Sequence, residues 1–169
     1  MPKSLKISES IVINAPLDVV WNVSANQFEH IDRWDGNVRS SRATGAPFGG
    51  APVGGRVCSM YNGSETVEAL VSFDDEQRSF VYEIKKGLPG FVVSARNTWQ
   101  HSGAAAGKTH LSMTVDLEVK GILGTLMRGP MKSQMGKVLR NAQQELKHYA
   151  ETGNPHPRKQ KKLKSKQKT

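Results

Sequence analysis

The chain of 169 residues has one cysteine, Cys58, so no disulfide can form within it. It has no apolar run near the ~18 to 20 residues of a membrane-spanning helix. Residues 1–16 contain no continuous apolar stretch of the kind a cleaved signal peptide needs. These features point to a cytoplasmic setting. Five histidines are present, none at metal-ligand spacing such as H-E-x-x-H. There is no nucleophile elbow, phosphate-cradling glycine motif or nucleotide fingerprint. No metal or cofactor is expected, and the pattern speaks against covalent catalysis. Acid is missing from residue 155 onward, where seven cations fall; seven of the nine net positive charges lie there, leaving +2 for residues 1–154. A nucleic-acid-binding domain carries its basic footprint on the fold, so no specific nucleic-acid partner is expected.

What remains is one unit of 37% apolar residues, enough for a single core. The expected organisation is one domain over residues 1–152 and a disordered basic tail over 153–169. That tail has almost nothing to bury and is at most a weak contact for anionic surfaces.

Ile7, Ile11 and Ile13 alternate along a first strand, Leu5 to Asn14. Pro16 suits the first turn of a short helix carrying Val19, Val20 and Trp21. A second short helix covers Phe28 to Trp34 and stops at Asp35-Gly36; a strand begins near Asn37. After a Gly- and Pro-rich loop come strands at 56–61, 65–73, 79–85, 91–101 and 109–119, broken by Asn62-Gly63, Asp74-Asp75 and Gly87-Leu88-Pro89-Gly90. A long helix from about Pro130 to Tyr149 carries one apolar stripe through Met131, Met135, Val138, Leu139, Ala142, Leu146 and Tyr149, with Gly153 closing it. The fold class is α+β. About seven strands form a curved antiparallel sheet around the long helix, leaving an internal space.

Ala15-Pro16-Leu17-Asp18-Val19-Val20-Trp21, Gly54-Gly55-Arg56, Glu68-Ala69-Leu70 before Asp74-Asp75, and Leu123-Gly124 with Leu126-Met127 resemble, in order and spacing, the START-like (SRPBCC) superfamily. This is the helix-grip fold of polyketide cyclase/dehydrase and lipid-transport type. The resemblance spans roughly residues 5–150 and implies a cavity for a hydrophobic ligand. In the related plant abscisic-acid receptors, a cavity lysine and a cavity glutamate sit where this chain has Arg39 and Glu68; their gate motif has no counterpart at the matching turn.

Arg39 and Glu68 are therefore candidate cavity charges. Arg39 suits a ligand carboxylate or enolate, because its planar fork stays charged. The other readings are that the two pair with each other or lie on the solvated face. Alternation puts Val67, Ala69, Val71 and Phe73 opposite Glu68, on the more apolar face. Arg56 reads as a structural ion pair at the rim. Tyr82, Asn97 and Trp99 share the apolar parities of their strands and are candidate wall residues. Met60, Met113, Met127, Met131 and Met135 are candidate lining of an adaptable pocket, or ordinary core. Three functions follow: carrier or sensor of a hydrophobic small molecule (lipid, polyketide or aromatic compound), a cyclase/dehydratase-type enzyme using the same cavity, or a protein-interaction module with a filled core.

Overall fold

The computed structural model describes residues 1–166. Strand β1 (Lys3–Ile13) leads into a short helix α1 (Leu17–Trp21), a π-helical turn (Asn22–Asn26) and a 3₁₀ helix (Phe28–Arg33). Six strands follow: β2 (Val38–Thr44), β3 (Gly55–Met60), β4 (Glu65–Asp74), β5 (Ser79–Lys86), β6 (Val92–Gly103) and β7 (Thr109–Val119). The chain then forms the long helix α2 (Gly121–Thr152) and a last helix α3 (Pro157–Lys166). The strands make one antiparallel sheet in the order β1-β7-β6-β5-β4-β3-β2, so β7 returns beside β1 and β2 is an edge. Each turn expected from Asn-Gly, Asp-Asp and Gly-Leu-Pro-Gly joins neighbours in that order.

Curvature comes from breaks in register between Val38 and Ser40, Val67 and Glu68, Leu70 and Ser72, and Val92 and Ser94. Each bends its strand and raises the local twist. The concave face carries the alternating apolar set of β1 and β7: Leu5, Ile7 and Ile13 beside Leu111, Met113, Val115 and Leu117, all buried. Helix α2 covers this face with Leu139, Ala142 and Leu146. It is fixed to β1 by polar bonds as well. Gln143 Nε2 donates to the Glu9 carbonyl at 2.8 Å and Lys147 Nζ to the Val12 carbonyl at 2.8 Å.

Two elements differ from the sequence expectation. Helix α2 begins at Gly121, nine residues before Pro130, which lies inside it. Proline removes one i→i−4 bond and crowds the preceding turn. The helix runs through it nonetheless, with Gly129 adjacent to absorb the crowding. The C-terminal end is as expected: Gly153 adopts φ 73° and its N–H donates to the Tyr149 carbonyl at 2.8 Å.

The second difference is the basic tail. Within the expected disordered segment, residues 157–166 are helical, and only 167–169 of that segment lie outside the described residues. Composition misled here because docking needs few apolar groups when buried acceptors await cations. Arg158 Nε bonds Glu145 Oε1 at 2.9 Å, and the buried Lys159 donates to the Val38 carbonyl. The methylene stems of Lys159 and Lys162 reach across the chain so that both ammonium groups lie over the Tyr61 ring.

Candidate functional site

Between the concave face of the sheet and α2 lies a cavity of about 190 Å³. Most of its wall is apolar, including Ile84, Met113, Val115, Leu117, Met135 and Leu139. The same wall carries Asp35, Arg56, Thr66, Glu68, Tyr82, Asn97 and Trp99, with Glu68 beside Ile84 and Asn97 beside Val115 across the strands.

The Arg56–Glu68 pair is a consequence of strand register. Gly55 opens β3 so close to β4 that a Cβ there would sit 2.2 Å from the Glu68 carbonyl oxygen. Only glycine fits that approach. It puts Arg56 directly opposite Glu68 in the β3–β4 ladder. Arg56 Nε donates to Glu68 Oε2 at 2.6 Å, Nη1 donates to the Phe28 carbonyl at 2.7 Å, and the guanidinium lies 3.9 Å above the Phe28 ring. Arg56 is 2% exposed and Glu68 9%. Burial pulls the Arg56 pKa down, but the charge and hydrogen bond of Glu68, together with Tyr82 and Cys58, hold it above the ordinary value. The pair is neutral as a unit, with every charge hydrogen-bonded, which is how a buried ion pair becomes tolerable.

Burial, reinforced by the Glu68 charge, pushes the Tyr82 phenol upward. Its hydroxyl is a neutral donor and acceptor. Asp35, from the turn after the 3₁₀ helix, has its pKa raised to about 6. Burial is the first cause and repulsion from Glu145 the second; the Asn37 N–H, Arg56 and Lys159 oppose them. A carboxyl at that value exchanges a proton near neutral pH. Among the described residues, Thr66 Oγ1 and Trp99 Nε1 are buried without a hydrogen-bond partner. Such groups are costly unless something in the cavity satisfies them.

The structure places Met60, Glu68, Tyr82, Asn97, Trp99, Met113 and Met135 on the cavity wall. Arg39 is not there. It is exposed, because the break in register between Val38 and Ser40 turns Val38 inward and leaves Arg39 outside. Met127 and Met131 line an outer groove rather than the cavity, since they belong to the part of α2 that projects toward the Gly87–Gly90 turn. Glu68 faces inward despite the opposing alternation. Thr66, Glu68 and Leu70 share the inner parity until the bulge at Leu70/Ser72 moves Phe73 to that side. Arg56, read as a rim residue, is the buried cation of the site. The signal for it was the Gly55-Arg56 step, which forces close strand approach. Asp35 was read only as a helix stop; no sequence pattern distinguishes a buried turn aspartate from an exposed one. No group of three or more His, Cys, Asp or Glu able to hold a metal occurs among the described residues.

The family described as polyketide cyclase / dehydrase and lipid transport matches residues 4–151. The chain belongs to that family. Solved structures of the same fold include XoxI from Bacillus cereus (TM-score 0.73, 16% identity, covering 87% of this chain and 96% of that one). A START superfamily protein from Mycobacterium smegmatis matches at TM-score 0.69 and 16% identity, over 86% and 97% of the two chains. Norcoclaurine synthase from Thalictrum flavum, solved with dopamine and hydroxybenzaldehyde, matches at TM-score 0.66 and 15% identity, over 87% and 86%. These likenesses establish the helix-grip fold of this family member. No curated protein matches the sequence.

Proposed function

We propose that this family member binds a small, neutral, mainly apolar molecule of single-ring size in its internal cavity. The observation that carries the reading is the cavity itself: about 190 Å³, mostly apolar in its lining, with Thr66 Oγ1 and Trp99 Nε1 of two wall residues unpartnered. Drug-sized ligands occupy pockets of roughly 300 to 1,000 Å³, and an apolar cavity of about 150 Å³ admits benzene. A single ring bearing a carbonyl or hydroxyl suits this volume; a long acyl chain or multi-ring polyketide does not. Arg56 is already neutralised by Glu68, so a ligand carboxylate gains little there, whereas Trp99 Nε1–H favours a neutral acceptor. The single-ring compounds bound by norcoclaurine synthase on the same fold fit this size class. The open cavity supports this reading over an interaction module with a filled core.

A second reading, an enzyme acting on the bound carbonyl compound, is favoured by one observation. Asp35 lies on the cavity wall with its pKa raised to about 6, and Tyr82 and Asn97 line the same space. In that case Asp35 would move the proton and the cavity would supply orientation.

The test is a thermal-shift panel of hydroxybenzaldehydes, phenols and fatty acids against the wild-type chain and Ala95→Leu, which fills the cavity from a buried wall position. Single-ring carbonyl compounds are expected to raise Tm and to bind in the micromolar range. Ala95→Leu should abolish the shift at a stability cost of about 1–3 kcal/mol. Fatty acids stabilising where single rings do not would defeat the size argument. Turnover of a bound carbonyl compound, lost in Asp35→Asn, would select the enzymatic reading.

A further inference from the structure

The first turns of α2 carry three large aliphatic side chains in solvent: Ile122 is 82% exposed, Leu123 56% and Leu126 70%. Residues 122 and 126 lie one turn apart on one side of the helix and 123 flanks them, so they form a single projecting patch. Val93, also exposed, belongs to β6 near its start, where the Phe91 carbonyl accepts the Lys120 N–H and lies against Gly124. A contiguous cluster of exposed large aliphatic side chains marks an interaction surface.

The surrounding charge says which kind. Between residues 119 and 144 there are five cations, Lys120, Arg128, Lys132, Lys137 and Arg140, and no acid. Arg140 is paired with Glu9. Lys3 stands in register with Val119, beside the start of the helix. The nearest acid in sequence, Glu118, accepts from Ser94 Oγ on the sheet. An apolar tip flanked by Lys120 and Lys3, on a helix whose following turns carry cations and no acid until Glu145, matches the interface of an anionic bilayer, where side chains enter the acyl boundary and cations meet headgroups.

A third feature agrees. Behind the tip runs an apolar groove of about 310 Å³ between the Gly87–Gly90 turn and α2, which includes Phe91, Met127 and Met131. Leu88, Leu117 and Met135 line both this groove and the internal cavity, so one layer of side chains separates them. We infer that the Ile122–Leu126 tip docks the protein on anionic membrane surfaces, with the groove, and the cavity behind it, turned toward the lipid. This docking does not depend on what the cavity binds.

The experiment is co-sedimentation of the full chain with vesicles of phosphatidylcholine alone and with 30% phosphatidylglycerol. Three proteins are compared: wild type, Ile122→Asp/Leu126→Asp, and Lys161→Gln/Lys162→Gln/Lys164→Gln, which weakens the tail. Both tip positions are exposed, so the tip variant should melt within a few degrees of wild type. Wild type is expected to bind the anionic vesicles and lose binding in high salt. The tip variant should bind at least tenfold more weakly, and the tail variant within about twofold of wild type. Wild type left in the supernatant overturns the inference. So does binding lost in the tail variant and kept in the tip variant, which would assign it to α3. A wild-type dimer that the tip variant turns to monomer, without vesicle binding, would assign the patch to a second copy and overturn it as well.

Discussion

Replacing Arg56 or Glu68 alone should cost far more than replacing both. The two face each other across β3 and β4 at 2.6 Å, both buried. Arg56→Met strands the Glu68 carboxylate in the interior and removes the donor to the Phe28 carbonyl. Breaking one partner of a buried pair costs about 3–5 kcal/mol. Glu68→Leu strands the guanidinium, which keeps its bond to Phe28, and should cost about 3 kcal/mol. In Arg56→Met/Glu68→Leu neither charge remains, and the residual cost is mainly the unsatisfied Phe28 carbonyl, about 1–3 kcal/mol. The double variant should therefore be no worse than either single one, with a coupling energy above about 2 kcal/mol. Guanidinium denaturation at pH 7, with slopes checked for constancy, measures all four corners. Costs that add to within about 0.5 kcal/mol would show that the two charges do not depend on each other and would refute the account of the buried pair.

Three further outcomes are expected. Asp35 (pKa about 6 folded against 3.8) contributes stability that is present below pH 3.8 and lost as pH rises through 6. His101, held by burial at about 4 against 6.5, between Ser24 Oγ at 2.8 Å and the Arg78 carbonyl at 3.1 Å, contributes stability present above pH 6.5 and lost as pH falls to 4. The two oppose each other, so Asp35→Asn should give a stability that climbs with pH between 4 and 6.5 and His101→Gln one that declines, each by up to about 3 kcal/mol in urea titrations at stepped pH. Gly55→Ala, with its Cβ against the Glu68 carbonyl, should destabilise by more than about 2 kcal/mol or prevent folding, whereas Gly63→Ala, with open space around it but φ of 89°, should cost about 1 kcal/mol by thermal melting. A chain ending at residue 153 removes Arg158 from the buried Glu145, and its midpoint in urea should fall by an amount equivalent to about 2 kcal/mol.

Period and punctuation in the sequence were enough for the element order, the antiparallel meander and the stripe of α2, because local backbone preference and burial of one face act on neighbouring residues. The β7 alternation and the closure of α2 at Gly153 were legible in this way, and so was the inward parity of Tyr82, Trp99 and Met113. What depended on contacts between distant strands was not. A bulge shifts parity by one residue without a mark in composition, and two such bulges sent Arg39 out and kept Glu68 in. The order of the tail was likewise invisible, since Lys159 reads as solvated until the Val38 carbonyl is placed beside it. The sequence by itself determined which faces are apolar and where the chain turns. Only the tertiary structure decided which charges meet inside, because a side chain's facing depends on strand register and its burial on what packs across from it.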